Sequence, residues 1–491
     1  MSPRIRTWTL VATATLGVTG SAHAAERYAG KVVLFGNLHA HSAHSDDVSG
    51  TLRNDPKMQP TQAWATAQAG GLDFLAITDH HKAVDSPGRS YLDAQEYERQ
   101  LYQAAVSYNA GAAGKFVAIP GIEWGNTKTG NHVNVFGAKV LPPDSIVDAA
   151  YDELFAWTKD NAEFVQFNHP HSWQGDSGRN EAVGNFGEAR YESTAKFVDG
   201  VDASVECISI ICSVRGGHIT GAHRRSTEKV HRDMQWENYY RRYLNKGFHI
   251  SPSANQDTHS TNFGVVTAAR TAVWAQDVSY DALMEAFRDN RVYATEDDEL
   301  VVAWQVVYRN RIYWMGSAVP LQQDEVDVQL RVRIWQAAGI DGDATDEGPY
   351  TVSIVSDPDG RGGNEASVWD TFTVADGQEY RRTLPVVAGE YFYLQVTEQN
   401  GKDNLVGEGD DADGNGERDD RNDQAWTAPV WFKRAKTASS TPAVAPYVWS
   451  KGSKVYHDAD CWMVAQIGAA NRRAGRDPGD RRKHDCKPPS R

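Results

Sequence analysis

Histidines and carboxylates recur at a fixed kind of place in the first half of this chain, just past short apolar runs. Val32–Phe35 leads into His39-Ala40-His41, with Asp46 close behind, and Phe74–Ile77 leads into Asp79-His80-His81. Phe116–Ile119 leads into Glu123, Phe164–Phe167 into Asn168-His169-Pro170-His171, and Ile250–Ser253 into Asp257-Thr258-His259. His132 is the exception, since it precedes the run Val133–Phe136. Any one histidine reads most simply as a surface or hydrogen-bonded side chain. Taken together, nine or ten such groups at one face would be costly to desolvate without cations to compensate them. Imidazole and carboxylate without thiolate suit Zn, Mn or Fe, and one ion cannot use so many ligands. The count therefore points to two or three divalent ions.

The elements that must position these groups follow from periodicity. Between the apolar runs, which include Val205–Ile211, lie Gln62–Ala69, Asp93–Asn109, Ala149–Asn161 and Trp236–Asn245. These stretches are long enough for helices and mix apolar with polar positions. Apolar strands alternating with helices predict a parallel α/β sheet covered on both faces, and about seven such units favour closure into a barrel. Residues past the carboxyl ends of barrel strands share one face, which would gather the five segments at one cleft. After Tyr293 the texture changes. Leu300–Val307, Val326–Ile334, Tyr350–Val355, Val368–Val374 and Tyr391–Thr397 read as strands, and Val326–Ile334 alternates apolar and polar as a strand with one wet face does. These predict a β-sandwich.

Composition bounds the rest. The chain has 491 residues, 40% hydrophobic and 23% charged, which excludes a disordered chain, and its four cysteines are too few for a disulfide scaffold. A net charge of −15 argues against a non-specific nucleic-acid coat. Thirteen of the 16 histidines lie between His39 and His259 and none between residues 260 and 456, so the metal-ligand types are concentrated in the first region. Arg4 and Arg6, the apolar stretch Trp8–Val18 and Ala22-His23-Ala24 read as a signal peptide over residues 1–24. The expected mature chain begins near Ala25 with a net charge of −17 and no membrane span, exported to the periplasm or the medium. The expected domains are the barrel over 30–297, the sandwich over 298–433, a linker over 434–446 and a short tail module over 447–491.

The ordered motifs His39-Ala40-His41, Ser45-Asp46, Ile77-Thr78-Asp79-His80, Pro120-Gly121-Ile122-Glu123, His132, Asn168-His169-Pro170 and Asp257-Thr258-His259 resemble those of the PHP (polymerase and histidinol phosphatase) superfamily. Val292–Asp297 and Ala425–Trp431 resemble its exported branch related to carbaryl hydrolase. The resemblance implies a distorted (β/α)7 TIM-like barrel with a two- or three-metal hydrolytic centre. It implies one ion on His39, His41, Glu123 and Asp257, and a second on Asp46, His80 and His259. A third would sit on His132 and His169, with Glu123 bridging it to the first. His44, Asp47, His81 and His171 are near-duplicates of these positions, and Asp47 stands where the family usually has Gly.

The expected activity is hydrolysis of a phosphate mono- or diester by a metal-bridging hydroxide, with His81 or His171 protonating the leaving group. Lys82 and Arg215 are candidate phosphate contacts, although a solvated or structural basic residue is the simpler reading of each. The alternative is a carbamate or carboxylic ester hydrolase at the same centre, because the hydroxide can attack a carbonyl as well as phosphorus. A non-catalytic binding module is a third reading, opposed by the complete ligand set. In each enzymatic case the partner is a small-molecule ester, and oligomeric state is not legible.

Two smaller signals remain. Asp411-Ala412-Asp413-Gly414-Asn415-Gly416 has the D-x-D-x-N-G form of a calcium loop, but Asn422 stands where an EF-hand has Glu, so a solvated acidic loop is the simpler reading. In the tail, His457, Cys461, His484 and Cys486 form a Cys/His set that suits zinc, while Cys461 and Cys486 equally suit a disulfide in an exported chain. Cys207 and Cys212 sit in an apolar run and read as buried thiols.

Overall fold

The apolar runs of the first region form strands, and the two that carry the most polar motifs run longer than their apolar cores. The computed structural model describes residues 26–46, 48, 50–81, 93–125, 132–146, 151–168, 203–206, 237, 240–241, 244–245, 248–264, 269–337, 348–356, 366–399, 424–435, 447–458, 467, 471–475 and 482–483. Its strands begin with β1 (Arg27–Tyr28), β2 (Lys31–Asn37), β3 (Phe74–His81), β4 (Val117–Trp124) and β5 (Val133–Phe136). They continue with β6 (Phe164–Phe167), β7 (Ala203–Glu206), β8 (Ile250–Ser253), β9 (Arg270–Ala275) and β10 (Val292–Thr295). Helices Pro60–Ala69, Gln103–Gly111, Tyr151–Asn161 and Tyr280–Arg288 lie between them, close to three of the sequence expectations and adding one after β9. Among the described residues, no helix is long and apolar enough to cross a membrane.

Strands β9, β2, β3, β4, β5, β6, β7 and β8 are neighbours in that order. The pairs β2–β3, β3–β4, β6–β7 and β7–β8 are parallel, as expected for a sheet built by helical crossovers. β5 departs from the all-parallel expectation, pairing antiparallel with β4 and with β6. The physical reason is the short β4–β5 connection, since a parallel return needs a crossover of roughly a dozen or more residues. The segment after β8 bonds back to the start of the run. The His41 N–H donates to the Thr258 carbonyl at 2.8 Å, Ala40 bridges Thr258, and Thr271 Oγ1 on β9 donates to the Ala254 carbonyl at 3.0 Å. The loop carrying His39 and His41 is thereby tied to the loop carrying Asp257 and His259.

The remaining strands are β11 (Leu300–Tyr308), β12 (Arg311–Trp314), β13 (Ala318–Leu321), β14 (Glu325–Gln336), β15 (Tyr350–Ser356) and β16 (Ser367–Val374). After them come β17 (Glu379–Val387), β18 (Tyr391–Glu398), β19 (Gln424–Thr427) and β20 (Val430–Arg434). β12, β11, β14 and β17 form an antiparallel sheet in which Val328, Leu330, Val332 and Ile334 are buried, the alternation read from the sequence. β15, β16, β18 and β19 instead extend the first sheet, because β19 pairs with β10 through Tyr293↔Thr427 and Thr295↔Ala425. That pairing satisfies backbone groups that β10 would otherwise present as an open edge. The chain divides into two compact units, Met1–Val319 with Glu325–Phe432, and Pro320–Asp324 with Lys433–Arg491. The second contains β21 (Tyr447–Ser450), β22 (Val455–Asp458), β23 (Arg472–Gly475) and β24 (Arg482–Lys483), in the order β23-β21-β22-β24.

Candidate metal centre

The register between β3 and β4 sets the middle of the site. Phe74 pairs with Val117 and the parallel ladder runs without a shift to His80↔Glu123 and His81↔Trp124. The apolar halves of both strands are buried in the core, so their polar ends emerge at the same level. Glu123 in turn pairs with Asn134 on β5, and Asn134 with Gln166 on β6. A row of polar side chains thus crosses four strands at one height.

Around Glu123 two groups of donor atoms converge. The first is His39, His41, Glu123 and Asp257, and the second is His80, Glu123 and His132. Glu123 Oε2 lies 3.0 Å from His39 Nε2, 3.2 Å from His41 Nε2 and 3.0 Å from His80 Nε2. Its other oxygen, Oε1, lies 2.7 Å from His132 Nδ1. Asp257 Oδ1 lies 3.3 Å from His39 Nε2 and 3.0 Å from His41 Nε2, and the two Nε2 atoms are 3.1 Å apart. Asp257 adopts φ 44°, a left-handed conformation that an Asp tolerates at some cost and that is often found at functional sites.

Electrostatics agree with the geometry. Burial alone would raise the Glu123 carboxyl, but the imidazoles of His39, His132 and His80 hold it well below the usual carboxylate range. Burial opposes His39, His259 and His41 at Asp257 in the same way, and again the imidazoles prevail. The donor set fits a cation. Each Nε2 of His39 and His41 carries at most one proton, yet each faces two carboxylate oxygens and the other imidazole nitrogen. A metal ion among buried nitrogen and oxygen donors satisfies all of them at once.

The other expected residues distribute unevenly. Asp46 Oδ1 lies 2.7 Å from His80 Nδ1, so it orients that ring from behind rather than joining either group. His259 stacks on His41 with ring centroids 4.0 Å apart, and its Nδ1 lies 2.8 Å from the carbonyl oxygen of Asp257. The expected set of Asp46, His80 and His259 is therefore not gathered as one group. The β3–β4 register instead brings His80 to Glu123 and His132. His81 is buried at the end of β3 and belongs to neither group. His169, His171, Asp47, Lys82, Arg215, Cys207, Cys212, the Asp411–Asn415 loop, Cys461, His484, Cys486 and the signal segment lie outside the described residues.

The sequence motifs include Asp79, Ser45 and Asn168 without giving them a role, and the structure shows these residues holding the ligands. Asp79 accepts from Ser42 N at 2.6 Å and from Ser42 Oγ at 2.7 Å, Ser45 Oγ lies 3.0 Å from His41 Nδ1, and Arg53 donates to the carbonyls of Ser45 and Asp46. Asn168 Nδ2 donates to Glu123 Oε1 at 2.9 Å. The available signal was a polar residue inside an otherwise fully buried strand, as Asn134 and Gln166 are.

No protein-family model matches the chain, and no curated protein matches it. Among solved structures it is similar to a two-domain protein from Bacteroides vulgatus described as containing a predicted PHP-like metal-dependent phosphoesterase. The identity is 15% and the TM-score 0.38, over 77% of this chain and 94% of that one. It is also similar to PsfC from Pseudomonas syringae, with 14% identity and TM-score 0.27 over 52% of this chain and 87% of that one. A lesion-specific endonuclease from Pyrococcus furiosus aligns with 13% identity and TM-score 0.21 over 52% of this chain and 56% of that one. Scores of this size are likenesses only, too low to establish a common fold or a common activity.

Proposed function

We propose that the chain is an exported, metal-dependent phosphoesterase of the PHP type, acting on a phosphate mono- or diester. The observation that carries this reading is Glu123, one buried carboxylate contacted by the imidazoles of both donor groups, through Oε2 by His39, His41 and His80 and through Oε1 by His132. In this reading His39, His41, Glu123 and Asp257 hold one divalent ion, and Glu123, His80 and His132 hold another. Asp46 and His259 flank these groups, and His169 is the remaining ligand expected from the family resemblance. Bound divalent ions would acidify a water and offset the charge of a phosphate group. With Asp46, Glu123 and Asp257 as the expected carboxylate ligands, a ligand set holding two such ions keeps a net positive charge, which favours an anionic ester over a neutral one. The chain's own residues would hold the ions, with His39, His41 and Glu123 buried, and Asp46 orients His80. His81 is the described candidate for proton delivery to the leaving group, and His171 is the other.

Purified protein loaded with manganese or zinc tests the reading. The expected result is cleavage of aryl phosphate mono- or diesters, lost on His39→Ala, with aryl carbamates inert. Carbamate turnover without phosphoesterase activity, or a chain that binds no metal, overturns it. Sequencing the N-terminus of the exported protein tests cleavage near Ala25.

A further inference from the structure

Behind Glu123 runs a buried chain of side-chain amides with a fixed direction. It starts at the backbone N–H of Leu38, a group that can only donate, which donates to Asn255 Oδ1 at 2.6 Å. Thr271 Oγ1 lies 3.1 Å from that oxygen. Asn255 must then present Nδ2 to Gln166, and it donates to Gln166 Oε1 at 3.2 Å, an oxygen that also accepts from Ser253 Oγ at 3.0 Å. Gln166 must in turn present Nε2 to Asn168, and it donates to Asn168 Oδ1 at 3.0 Å. That leaves Asn168 Nδ2 to face Glu123 Oε1 at 2.9 Å, with a second contact to Asn134 Oδ1 at 2.7 Å. Asn255, Gln166, Asn168 and Glu123 are all buried, so no bulk water competes for these bonds.

Asn168 also fixes the second donor group through its backbone, since its N–H donates to the His132 carbonyl at 3.1 Å. One residue therefore grips the carboxylate shared by both groups and the main chain of His132. We propose that Asn168 is a positioning residue. It holds the Glu123 carboxylate in the rotation that turns Oε2 to His39, His41 and His80 and leaves Oε1 beside His132, so that one carboxylate serves two metal ions. Gln166 acts one step behind it by fixing which end of the Asn168 amide faces Glu123. This inference rests on the metal centre proposed above.

Manganese(II) titration of the full chain, followed by electron paramagnetic resonance and elemental analysis, tests it. The wild-type protein is expected to bind two ions with an exchange-coupled signal, because a shared carboxylate bridges them. Asn168→Ala is expected to weaken binding of one ion by about 10- to 100-fold and to abolish the coupled signal. The ion on His39, His41 and Asp257 should remain. Gln166→Glu, which touches no ligand, is expected to give the same split by replacing the donor to Asn168 Oδ1 with an acceptor. It decides the matter if Asn168→Ala does not fold. A merely structural role would lower the melting temperature of both variants and leave coupling and affinities as in the wild type, and that result overturns the inference while the metal centre stands. A wild-type chain that binds no manganese overturns the centre itself, and the role of Asn168 with it.

Discussion

At the scale of single residues, chemistry in this protein depends on which neighbour each side chain finds. His80 and His81 are adjacent in sequence, yet His80 reaches Glu123 and Asp46 while His81 joins neither donor group. The family resemblance favoured His80 as the ligand and left His81 as a neighbour that could substitute, because ring orientation is set by contacts from other strands. Asp73 is a second case, outside the site. Burial pushes its carboxyl up to about 7, against the lowering effect of the Phe35 N–H that it accepts at 2.9 Å. The folded chain then keeps this proton up to about pH 7, whereas the unfolded chain gives it up near the ordinary value of 3.8. Between those limits folding takes up a proton, so Asp73 costs stability as pH rises through the window. Asp73→Asn keeps an oxygen acceptor and removes the ionisation. Melting temperatures of the two proteins between pH 4 and 7.5 should converge at the acid end and favour the variant at the other. Parallel profiles would refute this.

At the scale of elements, the apolar runs foretold the strands well, and the pairing between strands less well. Phe164–Phe167 and Ile250–Ser253 are strands as read, and β3 and β4 continue through their polar motifs. The polar ends remain in the strands because the β3–β4 ladder continues to His81↔Trp124. Close packing of β2 against β3 is equally demanding. A Cβ on Gly36 would lie 2.4 Å from the Phe74 carbonyl oxygen and 2.5 Å from its ring, with Gly36 paired to Phe74 in the ladder. Gly36→Ala must therefore push β2 off β3, at a cost of about 1–3 kcal/mol typical of overpacking. Urea denaturation should register that loss, and metal affinity should fall with it, since β2 delivers His39 and His41 to Glu123. Unchanged stability would mean that the ladder tolerates the displacement.

At the scale of the whole molecule, every residue of the two donor groups lies in the first compact unit. A chain ending at Ala435 is accordingly expected to bind the same number of metal equivalents as the full chain, as measured by elemental analysis. A loss of metal would assign the second unit a part in forming the centre. The sequence boundary near residue 297 corresponds to a change of texture and not to a break in the sheet, because β10 and β19 pair across it. Local patterns mark where strands begin and end, but an edge pairing between residues more than a hundred positions apart leaves no local mark.

The residue types and their order were enough to identify the ligand candidates and the strands that carry them, because imidazole and carboxylate chemistry and apolar runs are local properties of the chain. The grouping of His39, His41, Glu123 and Asp257 was implied by the family resemblance alone, and these four converge in space. Folding alone settled that His80 sits with His132 about Glu123, that Asp46 stands behind His80, and that a directed amide chain from Leu38 ends on Glu123. Those relations depend on strand register, ring rotation and hydrogen-bond direction, which arise only when segments distant in sequence are packed against one another.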